Sequence, residues 1–200
     1  MITIPQALIL FRFLLAPVIL VLAYSKIETA TTTIVVLMYL GLISDILDGI
    51  IARKQNSSTA TLRRLDSQSD MVFWLSIGIA TWILHPHLIT NHSIQIRLIL
   101  ALEVLCYVVS IVKFKKESSS HAFLSKLWGL TLLAAFTAMI GFNHTGIPFY
   151  IAIVIGFIAH IDRLLITLLL PKWTHDVPSA YHAYLIRKGV AIKRNPYLNG

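Results

Sequence analysis

Four aspartates stand close together in an otherwise apolar chain. Asp45 and Asp48 are spaced i, i+3, and Asp66 and Asp70 are spaced i, i+4. On helices, each pair projects from one face. The chain has nine acidic residues in all, so four of them between positions 45 and 70 form a local concentration. Carboxylates gathered at the edge of an apolar segment repel one another and resist burial. A divalent cation is the simplest means of neutralising them. Gly49 and Ala52 fall on the Asp45/Asp48 face and leave room there for a ligand or a neighbouring backbone. Arg53, Lys54, Arg63 and Arg64 lie between the pairs, with a polar Asn-Ser-Ser-Thr connection at 56–59.

The elements that must carry these residues are membrane helices. The 200 residues are 56% hydrophobic and 13% charged, with mean hydropathy +0.76. This excludes a soluble domain and indicates an all-α integral membrane protein. Apolar runs predict six transmembrane helices: Ala7–Tyr24, Thr31–Arg53, Thr61–Leu84, Ile94–Val112, Phe123–Phe142 and Ile147–Leu170. The second, at 1.5 Å per residue, is about 34 Å long and crosses a bilayer. Asp45 then lies about 12 Å from Arg53, inside the membrane boundary but not at mid-membrane. The stretch HPHLITNHS between spans three and four reads as a polar loop. Residues 1–170 form one membrane domain, and residues 171–200 a basic tail with an amphipathic run from Tyr181 to Arg194. Cys106 sits alone in an apolar run and reads as a packing residue. Glu103 is an acid inside a span and a functional suspect, or else it packs toward Arg97 or makes a buried hydrogen bond. Asp162 and Arg163 read as a structural or dimer pair. No cleaved signal peptide is expected, because the first apolar run is too long and contains Arg12.

Lys and Arg set the expected orientation. The segments after spans two, four and six are basic, and those after spans one, three and five are not, apart from Lys26. The positive-inside rule makes both termini cytoplasmic and turns the aspartates toward the cytoplasm. The net charge of +8 is thus matched to lipid headgroups and does not imply nucleic acid. Spans two and three, consecutive and antiparallel, bring both carboxylate pairs to one depth.

The spacing Asp45-x2-Asp48-Gly49-x2-Ala52-Arg53-x8-Leu62-x3-Asp66-x3-Asp70 resembles the signature D-x2-D-G-x2-A-R-x8-G-x3-D-x3-D of the CDP-alcohol phosphotransferase family. The start, IPQALILFRFLLAP, is similar to that family's PNxLTxxR at the head of span one. The resemblance implies transfer of a phosphatidyl or phosphoalcohol group from a CDP-linked lipid donor to an alcohol acceptor, with release of CMP. It implies two divalent ions, Mg²⁺ or Mn²⁺, in a carboxylate clamp. Asp45, Asp48 and Asp66 would be metal ligands. Asp70 would serve the second metal and act as general base. Gly49, Ala52, Arg53 and Thr59 would meet the CDP donor, and Lys126 is a weaker candidate for the acceptor. Thr59 is also placed to cap span three. A homodimer among membrane lipids, in a bacterial inner membrane with the active site facing the cytoplasm, is the associated expectation.

CDP-diacylglycerol is the favoured donor. The alternatives are a CDP-choline or CDP-ethanolamine donor with diacylglycerol as acceptor, or a catalytically inactive relative that binds lipid or metal. A transporter is a further class, and it is disfavoured because the aspartates share one face and no broken-helix pair is evident. Three positions depart from the family pattern. Gln6 replaces its Asn, Ile9 its Thr, and Leu62 its second Gly. Leu62 lies four residues before Asp66, so it is expected to point into the same site and narrow the nucleotide pocket.

Overall fold

A computed structural model describes residues 3–25, 27–55, 59–116 and 122–190. Among these residues the regular structure is entirely helical. The elements are α1 (Ile4–Ser25), α2 (Ala30–Lys54), α3 (Ala60–Leu84), the short α4 (Pro86–Asn91), α5 (Ser93–Phe114), α6 (Phe123–Phe136), α7 (Gly146–Leu169) and α8 (Ala180–Arg187). α6 continues into one π-helical turn, Thr137–Gly141. Five helices are long and apolar enough to cross a membrane: α1, α2, α5, α6 with its π turn, and α7. α3 has the length, at 25 residues. It lacks the composition, because its first half carries Arg63, Arg64, Asp66 and Asp70. Leu14, Val18 and Val21 of α1 and Val104, Val108 and Val112 of α5 are exposed. Exposed aliphatics in such number suit lipid and would be a liability in water.

The described residues gather into two units. The first contains α1 to α4, the second half of α6 with the π turn, and the first turn of α7. α1 packs lengthwise against both α2 and α3, which touch each other much less. Its core has helical spacing on every contributor: Leu15, Ile19 and Ala23 on α1, Ile34 and Met38 on α2, and Phe73, Ile77 and Ala80 on α3. Leu133 and Ile140 complete it. The expected loop at HPHLITNHS is in fact the helix α4. Pro86 supplies a pre-set φ at its first position, and Leu88 is buried. The His85 Nε2 lies 3.3 Å from the Ile140 carbonyl oxygen, and the His92 Nε2 lies 3.1 Å from the Thr145 hydroxyl. These histidines anchor their own connection.

The second unit takes most of α5 and α7, the first half of α6, and α8. Glu103 on α5 accepts from His160 Nε2 at 2.9 Å and from Arg163, both on α7. The His160 Nδ1 in turn lies 2.6 Å from the Gly156 carbonyl oxygen, and the Cys106 thiol donates to the His160 carbonyl. Glu103 is therefore a half-buried hydrogen-bonding partner. Asp162 and Arg163 do not pair with one another: Asp162 Oδ1 accepts from the Ala180 amide at the head of α8, 2.9 Å away. The described part of the tail is folded, with Val177 and Ala183 buried among Ala122, Ile166 and Leu170. Positions 191–194 of the expected amphipathic run, like 56–58 of the polar connection, lie outside the described residues.

Candidate active site

The buried stripe of α1 steps through Ile9, Arg12, Leu15, Ala16, Ile19 and Ala23. Arg12 therefore points inward from a position where an aliphatic side chain would ordinarily sit. It lies eight residues after Ile4, Asp48 six before Lys54, and Asp66 six after Ala60. Along their helices these offsets are roughly 9–12 Å, so the three side chains meet at one level. An arginine buried there alone would be strongly unfavourable, and the sequence surrounds it with carboxylates.

The guanidinium contacts all four aspartates. Nη1 is 2.5 Å from Asp45 Oδ1, and Nη2 is 3.1 Å from Asp48 Oδ2 and also pairs with Asp66 Oδ1. Nε is 3.1 Å from Asp70 Oδ1. Asp48 and Asp66 have 3% and 5% of their side-chain surface exposed, Asp45 and Asp70 33% and 31%. The accessible side of the cluster is therefore the Asp45–Asp70 side. Arg63 is buried beside it, with Nη1 3.8 Å from Asp66 Oδ2. Against Arg12 and Arg63, four ionised carboxylates still leave two net negative charges. The Ser69 hydroxyl donates to the Ile9 carbonyl at 3.1 Å, fixing α3 to α1 beside the cluster.

Ligand oxygens of Asp45, Asp48 and Asp66 all lie within 4.8 Å of one another. Convergent carboxylate oxygens with residual negative charge fit a hard divalent cation. Asp70 stands outside that group of three and joins it through Arg12. The other expected site residues are placed as follows. The Arg53 guanidinium folds back over Gly49, where an added β-carbon would be 3.3 Å from Nη1. Ala52 is buried in a small cluster with Ile9 and Leu62. Thr59 is exposed and caps α3, its hydroxyl oxygen accepting from the Leu62 amide at 3.2 Å. Lys126 is exposed near the start of α6, in the other unit.

Residues 2–168 match the model of the CDP-alcohol phosphatidyltransferase family. The chain belongs to that family. No curated protein and no solved structure shows significant similarity to it. CDP-alcohol phosphatidyltransferases move phosphate-containing groups from a CDP-alcohol to an alcohol, in general with metal. The motif aspartates of this member are the ones its fold gathers. Arg12, Arg63 and Ser69 were not picked out as site residues by their spacing. Arg12 had a signal: an arginine eight residues into an apolar helix, in register with that helix's inward face.

Proposed function

We propose that this phosphatidyltransferase is a six-span, Mg²⁺- or Mn²⁺-dependent enzyme that moves a phosphatidyl group from CDP-diacylglycerol to an alcohol acceptor and releases CMP. The observation that carries this reading is the convergence of Asp45, Asp48 and Asp66, three aspartates of one family motif, from two helices onto one point. These three hold the first divalent ion, and Asp70 contributes to a second. When bound, the ions neutralise the donor pyrophosphate and the oxygen on which CMP departs. Asp70, on the accessible side of the cluster, takes the proton from the acceptor hydroxyl as its oxygen attacks the phosphorus. Arg53, lying over Gly49, presents a planar fork to the donor phosphates, with the Thr59 hydroxyl as a further contact. Lys126 is a weaker candidate for the acceptor. α3 is the sixth span, its polar half sheltered by α1 and α2. Both termini and the site face the cytoplasm, and the protein works as a homodimer in a bacterial inner membrane.

A second reading, an inactive lipid- or metal-binding relative, is favoured by one observation. Leu62 and Ile9, which replace the family's Gly and Thr, are buried together with Ala52 beside the donor-binding residues. CMP release from CDP-diacylglycerol in detergent, with a panel of alcohols and a parallel CDP-choline and CDP-ethanolamine series, separates these readings. Wild type is expected to release CMP. Asp70→Asn is expected to bind donor without turnover, and an Asp48→Ala, Asp66→Ala double variant to lose Mn²⁺ binding. Absence of CMP release with every donor would favour the inactive relative.

A further inference from the structure

The aspartate cluster already holds a cation, and that cation belongs to the chain. We propose that Arg12 is a resident counter-cation that competes with the divalent ion for Asp45, Asp48 and Asp66, so that α1 sets the metal affinity of a site built by α2 and α3. The proposal rests on the metal-dependent reading above and deepens it.

The first support is overlap. Nη1 and Nη2 engage Asp45, Asp48 and Asp66, the same three carboxylates whose oxygens converge within 4.8 Å. Mg²⁺ bonds such oxygens at about 2.0–2.1 Å, close in among them. A guanidinium kept at hydrogen-bond distance from the same groups would stand beside the ion, like charge against like charge in a water-poor site.

The second is burial. Arg12 has no exposed surface. Water cannot stabilise its charge, so the carboxylates do, and the carboxylates in turn are held together by it. Metal-free protein thus keeps the cluster partly neutralised.

The third is the asymmetry of the guanidinium contacts. Nε faces Asp70, which lies outside the converging three. Nε makes no hydrogen bond, so release of both Nη atoms leaves only the ion-pair attraction to Asp70, toward which the guanidinium can yield when an ion binds.

A purely structural arginine and a competing one differ in the sign of their effect on metal binding. Loss of a structural arginine loosens the ligands and weakens the metal. Loss of a competitor strengthens it. The test uses full-length wild type, Arg12→Gln and Arg12→Lys in detergent, stripped with EDTA and titrated with Mn²⁺ by calorimetry and by the Mn²⁺ spin resonance signal. Arg12→Gln is expected to bind Mn²⁺ at least about tenfold more tightly than wild type, which is about 1.4 kcal/mol. Its melting temperature is expected to fall in EDTA and to rise more than wild type's on adding Mn²⁺. Arg12→Lys keeps the charge but not the fork, and its affinity is expected between the two. This second variant decides the matter if Arg12→Gln does not fold without metal. Affinity equal to or weaker than wild type in a folded variant overturns the proposal. Absence of Mn²⁺ binding by wild type and folded variants alike overturns both it and the metal reading. Tighter binding by Arg12→Gln in a protein that turns over no CDP-linked donor supports the proposal and removes only the transferase reading.

Discussion

The ring of Phe73 on α3 lies in the space that a β-carbon on Gly41 of α2 would need. Gly41 is four residues before Asp45, and Phe73 is three after Asp70. The contact therefore sets the approach of the two aspartate-bearing helices one turn from their carboxylates. Phe73 is fully packed in the core and has no free direction to yield. Gly41→Ala is expected to overpack this junction and destabilise the protein by about 1–3 kcal/mol, although alanine is the better helix former. Thermal unfolding in detergent measures it, and a second change, Phe73→Leu, should restore much of the loss. A Gly41→Ala protein as stable as wild type would show that α2 and α3 separate freely here.

Leu62 gives a prediction that differs from the one its spacing suggests. Four residues before Asp66, it reads as a side chain facing the nucleotide. It is instead buried with Ile9 and Ala52, where α1, α2 and α3 meet. Leu62→Gly is thus expected to lose about 2–5 kcal/mol of stability through the cavity it leaves. Ile9→Thr is expected to lose less, about 1–3 kcal/mol, from a hydroxyl brought into an apolar cluster. The double variant should be more stable than the sum of the two predicts, by about 0.5–3 kcal/mol, because the residues share surroundings. Strict additivity in a denaturation series would mean that the two departures from the family pattern are independent.

Glu103 is the acceptor for two α7 side chains, so its removal takes a partner from both. Glu103→Leu leaves His160 and Arg163 without their shared carboxylate. A loss of about 1.5–3 kcal/mol is expected, the range for hydrogen bonds to charged groups. Mn²⁺ titration should be unchanged, since none of the three residues belongs to the aspartate cluster. Altered Mn²⁺ affinity in Glu103→Leu would assign this cluster a part in the site.

The orientation is open to chemical labelling. With Cys106→Ser as background, single cysteines at Gln55 and Thr59 should react only with reagent on the cytoplasmic side. Cysteines at His87 and Thr90 should react only with reagent outside. The reverse pattern would turn the proposed site away from the cytoplasm.

Much of this architecture is legible in the sequence because apolar runs and helical periodicity are local properties. The bounds of α2, α5 and α7 lie within about two residues of the apolar runs that suggested them. The four aspartates announce themselves by spacing alone. What local pattern does not encode is contact across the chain. Arg12 meets Asp45 33 residues away and Asp66 54 residues away, and nothing within a helical turn of Arg12 carries a carboxylate. Short elements are equally hidden. α4 has six residues, too few for a period to show, and the π turn at Thr137–Gly141 interrupts a run that reads as one continuous α-helix.

The place of Arg12 on the first helix has a consequence for how the protein is made. α1 is synthesised and offered to the bilayer before any of its partners exists. An arginine within a helix entering lipid costs about 2.5–3.5 kcal/mol at the centre. Asp70, the last of the four carboxylates, is translated 58 residues after Arg12. At ordinary synthesis rates of 5–20 residues per second, that is a delay of roughly 3–12 s. During it α1 carries a charge with nothing to answer it, and the aspartates emerge on helices that have the same need in the opposite sign. The many apolar residues of α1 outweigh that cost, so α1 enters lipid first and its charge is answered only when α2 and α3 arrive. In a glycosylation-reporter assay, a nascent chain stopped after α1 should integrate somewhat less completely than the same chain with Arg12→Leu, and the difference should vanish in chains stopped after α3.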